Sequence, residues 1–143
     1  MPKSTTFSND ILALVFNATA IDGIAENDST SPLTNLYVSL HSASPGIGGA
    51  QTTNEVGYTN YARIPVARSP AGWTVALAQA VNTALNQFAQ CGVTGASASH
   101  VAIGTDASGT GKVLYAGALS ATLTIANLIQ PQFAAGALTV TES

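Results

Sequence analysis

The chain has 143 residues, of which 46% are hydrophobic and only 8% charged, and its formal charge is −3. An average soluble protein carries roughly 25% charged residues. Four Lys or Arg against seven Asp or Glu leave no basic stripe to neutralise phosphates, so nucleic acid and anionic membrane are excluded as partners.

Ser, Thr, Asn, Gln, Gly and Ala replace the missing charges. A surface built this way has little self-repulsion, which suits a chain packed among neighbours in an assembly. The length fits one domain with one sizeable core. Cys91 is the only cysteine, which excludes an intrachain disulfide and a Cys-based zinc site and leaves the expectation of a small, half-buried thiol.

In the opening stretch MPKSTTFSNDILALVFNATA, Asn9 and Asp10 abut the apolar run and Asn17 interrupts it, so a secretory signal is not expected. The sequons at Asn17 and Asn27 then carry no meaning. No apolar run approaches the roughly 18 residues of a membrane span. Ile11, Leu12, Leu14, Val15, Phe16 and Ala18 recur at three and four, predicting a short amphipathic helix over 8–20 with Ser8 or Asn9 as its cap and an arm over 1–7 before it. Residues 22–32 read as a polar loop broken by Gly23 and Pro32.

From residue 34 onward the period changes to two. In TNLYVSLHSAS, Leu36, Val38 and Leu40 alternate with Tyr37, Ser39 and His41, as in a strand with one buried face. YARIPVARS continues the pattern, and Pro65, unable to donate a ladder hydrogen bond, marks an edge strand or a bulge. GWTVAL follows a Pro70-Ala71-Gly72 turn. The segment 80–91 fits a strand through Val81, Thr83 and Leu85, or a helix through Val81, Leu85 and Phe88; its all-strand surroundings favour the strand. ASHVAIGTD, GKVLYAGAL, ATLTIANL and ALTVTES alternate better, separated by ASGTG, GALSA and IQPQFAAG. Seven or eight short strands with Gly-rich turns predict a mainly β chain, an antiparallel sandwich or barrel-like domain over 34–143 behind one N-terminal helix.

Candidate chemistry is sparse. GTDASGTGKVL looks like a phosphate-binding loop, but Asp106 and Val113 stand where that motif needs Gly and Ser or Thr, and a strand follows; it reads as a hairpin loop. His41 and His100 sit within strands with no nucleophile-elbow sequence nearby, and are expected to bond backbone or water. Asp22, Glu26 and Asp28 share a loop but lack the spacing of a calcium loop. The expectation is therefore no enzyme, no catalytic residue, no cofactor and no metal. Arg63 and Arg68 flank Pro65, and either could pair with Glu55 to pin the charge-poor stretch 44–60.

LYVSLHSASPG, TTNEVGYTNYARIPVARS, HVAIGTDASGTGKVLYAGAL and FAAGALTVTES together resemble a family of small tailed-bacteriophage virion proteins, often labelled tail fibre proteins, with some members similar to head decoration or cement proteins. The most specific part is Asn54-Glu55-Val56 followed by Tyr61-Ala62-Arg63. Common variants have Gly-Gly or Ser-Gly shortly before Tyr-Ala-Arg; this chain has Tyr58-Thr59-Asn60. The resemblance implies a virion structural role without catalysis and offers no active-site residues.

A capsid decoration or cement protein bound to the major capsid protein, as a homo-oligomer with a trimer favoured, is the first expectation. The alternative is a tail or neck fibre component for host attachment. Assembly would occur in the host cytoplasm, and the head surface is the favoured place in the virion, with the tail as alternative. Contacts are expected from Pro2, Lys3 and Phe7 at the N-terminus and from Ile47, Gln51, Asn54, Glu55 and Tyr58 in the loop. Tyr61, Arg63 and Arg68 complete the set. Neutral hydrogen-bonding loops suit a protein that settles at many equivalent places.

Overall fold

The computed structural model describes residues 3–21, 24–25 and 32–142. Pro2, Asp22, Glu26, Asn27 and Asp28 lie outside the described residues. The chain is mainly β, with antiparallel sheets and a short helix. In order the elements are α1 (Thr5–Asn17), β1 (Asn35–His41), β2 (Ile64–Ala67), β3 (Trp73–Ala76), β4 (Gln79–Asn82), β5 (Asn86–Gln87), β6 (Ala96–Gly104), β7 (Val113–Ile125), β8 (Gln132–Phe133) and β9 (Thr139–Thr141). They form two compact units, each assembled from segments distant in sequence: Met1–Asn35, Ala67–Asn86 and Phe133–Ser143 in the first, Leu36–Val66 and Gln87–Gln132 in the second.

In the first unit, α1 starts three residues earlier than its apolar periodicity predicts. Ser4 is the cap, its hydroxyl accepting the Phe7 N–H at 3.2 Å, so Phe7 belongs to the first helical turn and the expected arm is shorter. Ser8 faces inward instead. At the other end the left-handed Ala18 (φ 55°) returns its N–H to the Ala13 carbonyl. The helix has no basic residue in its last turn. Arg68 supplies one from far along the chain, its Nε donating to the Val15 carbonyl at 2.6 Å and its Nη2 to that of Leu14. A cation over exposed C-terminal carbonyls satisfies orphan acceptors and complements the helix dipole. A helix of 13 residues is marginal alone, and packing completes it. Leu12 and Phe16 are buried, and Phe16 meets Trp73 edge to face at 4.7 Å.

β3 and β4 form a hairpin, with Trp73 opposite Asn82 and Ala76 opposite Gln79. Its two-residue turn is Leu77-Ala78, both at positive φ (52° and 59°), so the predicted strand through Leu77 ends one residue sooner. Such turns ordinarily use Asn and Gly. Here the Ala78 N–H donates to the Asn9 side chain on α1, and the Ala78 carbonyl accepts the Glu142 N–H at 2.9 Å. β9 adds to β4 through Ala80 opposite Val140.

In the second unit the sheet order is β2-β1-β6-β7. Pro65 lies in β2, at one edge, as its missing N–H requires. Leu36, Val38 and Leu40 are buried on β1, whose register against β6 runs from Tyr37 opposite Gly104 to His41 opposite His100. The predicted break at GALSA is not a turn. β7 is one strand whose pairing steps from Ala118 opposite His100 to Leu123 opposite Ala98, so 119–122 bulge out against the single residue Ser99. The ambiguous segment 80–91 is strand-forming, divided between β4 and β5 by a turn.

Asn82 stands where these first-unit strands and the C-terminal segment meet, buried at 1% exposure. Its Nδ2 donates to the carbonyls of Ala84 and Ala134, and its Oδ1 accepts the Leu138 N–H, each at 2.8 Å. Asn82→Asp would turn a carboxylate towards two carbonyls, and a loss of about 3 kcal/mol in urea unfolding is expected; an unchanged midpoint would refute this account of the joint.

Candidate functional site

The stretch between β1 and β2 is long, polar and fastened from beneath. Glu55 lies opposite His41 in an isolated antiparallel bridge, and Val56 donates its N–H to the Leu40 carbonyl at 3.0 Å. The Glu55 carboxylate receives Arg63 on both oxygens, Nε to Oε1 and Nη2 to Oε2, each at 2.7 Å. Tyr61 also donates its hydroxyl to Oε1, at 2.9 Å, and accepts the Leu40 N–H at 3.1 Å. The side chains of Arg63 and Glu55 are 3% and 14% exposed, so the pair is largely shielded from water.

The guanidinium does more than bind Glu55. Nη1 donates to the Asp106 carbonyl at 2.9 Å and Nη2 to that of Gly109 at 2.7 Å, both in the β6-β7 hairpin loop. The glycine-rich loop that resembles a phosphate cradle therefore turns carbonyls inward, the polarity for a cation, and holds the chain's own arginine. The Glu55 hydrogen bonds raise the Arg63 pKa, and burial pushes the Tyr61 hydroxyl well above its ordinary range. Arg63 therefore stays charged and Tyr61 keeps the proton it donates.

A second fastening is Gln51, which is fully buried. Its Oε1 accepts the Asp106 N–H at 2.9 Å, and its own N–H meets the Thr110 carbonyl at 2.9 Å. The side chain fits because Gly104 and Gly111 flank it: a Cβ at Gly104 would lie 2.2 Å from the Gln51 amide carbon, and one at Gly111 2.0 Å from its oxygen. Further along, Tyr58 donates to the Ala89 carbonyl at 2.8 Å, and burial pushes its hydroxyl pKa up to about 12. Asn60 takes φ 77°, a left-handed conformation that glycine adopts most readily and that Asn tolerates better than most residues.

His41 and Ser39 form a pair that geometry alone could suggest as catalytic. The Ser39 hydroxyl and His41 Nε2 are 2.9 Å apart, and Nδ1 lies 2.9 Å from the Thr53 carbonyl. A carbonyl only accepts, so Nδ1 carries the proton and Nε2 accepts from Ser39. Both side chains are fully buried, and the His41 bond to the Thr53 carbonyl holds the loop to β1. Burial lowers the His41 pKa from 6.5, reinforced by Arg63 and His100 and opposed by the Thr53 carbonyl and Glu55. Among the described residues no three His, Cys, Asp or Glu converge as a metal site would require.

The residues expected to make contacts divide accordingly. Gln51, Tyr58 and Arg63 are buried and hold the loop from within, Glu55 and Tyr61 are their partners, and Arg68 caps α1 in the first unit. Of the two arginines offered to Glu55, Arg63 is the one that binds it, because Arg68 is engaged with the helix. Ile47 and Asn54 remain at the surface, Ile47 fully exposed and Asn54 at φ 57° with its amide on the Ser44 carbonyl. Lys3 lies 2.6 Å from Glu142, and Phe7 is 37% exposed. Sequence reading missed Gln51 as a buried anchor; Gly104 and Gly111, far from it in the chain, were the available signal.

The residues that meet in the clamp, Glu55 with Tyr61 and Arg63, are those of the two short motifs on which the family resemblance rests most. The family described as Podophage GP4 fiber I protein gp80 matches residues 2–141. The chain belongs to this family. It is a virion protein of a tailed phage, and its family-like motifs are the halves of one buried anchor. No curated protein matches it.

Replacing Arg63 leaves Glu55 and two carbonyls without their cation. Arg63→Met is expected to cost about 3–5 kcal/mol. Arg63→Lys should recover little, since one ammonium cannot match four acceptors in a plane. Urea unfolding measures both, and a loss below about 1 kcal/mol for Arg63→Met would refute the clamp. For His41 the unfolded ring binds a proton below pH 6.5 that the folded ring resists, so its contribution is complete above that value and declines as pH falls towards the lowered folded pKa. Wild type minus His41→Asn stability should therefore decrease with acidification over this range, and a constant difference would rule the effect out.

Proposed function

We infer that the chain is a non-enzymatic structural component of a phage fibre, located at the tail or neck, that presents the anchored loop 44–60 as a contact surface. The family match across nearly the whole chain carries this reading. The loop supports it in kind. Its fixed charges are turned inward on one another, and what faces outward is Ser44, Thr52, Asn54, Thr59 and Asn60 with the apolar Ile47. A rigid rim of neutral hydrogen-bonding groups binds a partner with little ordering cost.

A second reading, a capsid decoration protein on the major capsid lattice, is supported by one feature of the sequence. The chain lacks the repeats and long heptads by which fibres commonly trimerise along an axis. In both readings the role is mechanical, and the loop is the first surface to alter.

Copy number separates them. Quantitative mass spectrometry of purified virions, normalised to the major capsid protein, should give far fewer copies than capsid subunits, and antibody against the chain should label the tail in electron micrographs. Near-equal copies, with label on the head, would overturn the fibre reading in favour of the lattice one.

A further inference from the structure

Ile47 is fully exposed at the tip of the loop, and the turn that carries it is braced. Gly46 takes φ 74°, and the Gly49 N–H returns to the Gly46 carbonyl at 3.4 Å, which makes Ile47 the second residue of a four-residue turn. The Ser44 hydroxyl accepts the Gly46 N–H at 3.1 Å, and the Ser44 carbonyl accepts the Asn54 amide at 2.9 Å. A Cβ at Gly49 would lie 1.9 Å from the Pro45 carbonyl oxygen, so the turn closes this tightly only with glycine there. A single exposed isoleucine is ordinary. This one is held in place beside an apolar groove, so little ordering cost remains when it meets a partner.

The groove has a volume of about 360 Å³, with Ser44, Gly46 and Ile47 on the loop side and Val113, Leu114 and Ala116 on β7. Strict alternation would send Val113 to the face opposite Leu114 and Ala116. The pairing with β6 shifts register here: Val113 lies opposite Gly104 and Tyr115 opposite Ile103, so Leu114 is an extra residue between them. Bulges re-aim side chains, and the consecutive Val113 and Leu114 both reach the groove.

We propose that Ile47 of one copy seats in the 113–116 groove of a second copy and receives that copy's Ile47 in return, across a two-fold axis beside the loop tip. A closed two-fold contact needs both complementary features on one surface, because each copy gives what it takes. Ile47 forms the lip of the groove, so knob and hole stand side by side, and a second copy carries both at the matching separation. Charge does not oppose the pair: no residue over 42–54 or 113–141 is charged, and Lys112, next to the β7 wall in sequence, does not line the groove. The contact is made by side chains and leaves the backbone pairing of β7 as it is. One loop tip and one strand end make a contact smaller than the roughly 800 Å² per partner of a stable dimer, so the pair forms at high concentration. This inference concerns purified chains, and goes beyond the fibre reading without resting on it.

Sedimentation equilibrium of the purified full chain, in a concentration series reaching about 1 mM, tests it. The mass should rise from 14.4 kDa towards twice that value. Ile47→Glu and Ala116→Lys, both at exposed positions, should each give a monomer with unchanged circular dichroism. An equimolar mixture of the two should regain the dimer, because one contact becomes an ion pair and the other stays as in wild type. Val93→Glu, at another exposed apolar position, should leave the association as it was. Should a variant misfold, Ile47→Cys decides: with Cys91 buried, mild oxidation should cross-link copies through position 47. A wild type monomeric throughout the series, a trimer, a dimer that survives Ile47→Glu or is lost with Val93→Glu, a mixture that stays monomeric, or no cross-link would overturn the proposal.

Discussion

The second unit depends on one buried ion pair. Arg63 and Glu55 lie close together in sequence, but the loop reaches this conformation only because the guanidinium also satisfies two carbonyls of the β6-β7 hairpin. One side chain thus ties together the loop after β1, the strand that follows it and a hairpin distant in sequence. A charge pair shielded from water contributes little net stability by itself, but removing one partner is costly, and that asymmetry makes the geometry unique.

A protein with few charges has placed its strongest ones where they organise backbone. Arg63 serves the loop and Arg68 the C-terminal end of α1, and in both cases the acceptors include main-chain carbonyls that no local donor reaches. Withdrawing these charges from the surface leaves neutral amides and hydroxyls outside. The inward network and the outward neutrality are therefore one arrangement. A rim without charge discriminates among partners by shape and hydrogen bonding, and tolerates repeated copies of itself nearby.

Asn carries more of the structure than its usual surface role suggests. Asn82 joins the turn after β4 to the C-terminal segment through three hydrogen bonds, while Asn54 and Asn60 occupy left-handed positions that favour glycine. Gln51 does for the loop what Asn82 does for the first unit, and its slot exists because two glycines leave room. Asn82 has both its donor and its acceptor met by backbone, whereas Gln51 is held through its oxygen and its Nε2 is buried without a partner among the described residues.

The sequence by itself determined the β class, the N-terminal helix, the restriction of Pro65 to an edge strand or a bulge, and the polar character of the loop. Each follows from local signals: a period of two or of 3.6, a missing N–H, a composition. It also offered Glu55 a choice of two arginines. Only the tertiary structure decided between them, because the choice turned on which arginine the carbonyls of 106 and 109 could reach and which the end of α1 had already taken. The Leu77-Ala78 turn was illegible for a related reason. Nothing in Leu-Ala favours positive φ, and the conformation is held by Asn9 and Glu142, which lie far away in the chain. The long β7, read as two strands, looked broken at GALSA because a four-residue bulge and a turn have the same local composition; only the register against β6 separates them. Local sequence encodes what each segment prefers, and contacts between distant segments settle which preference is overruled.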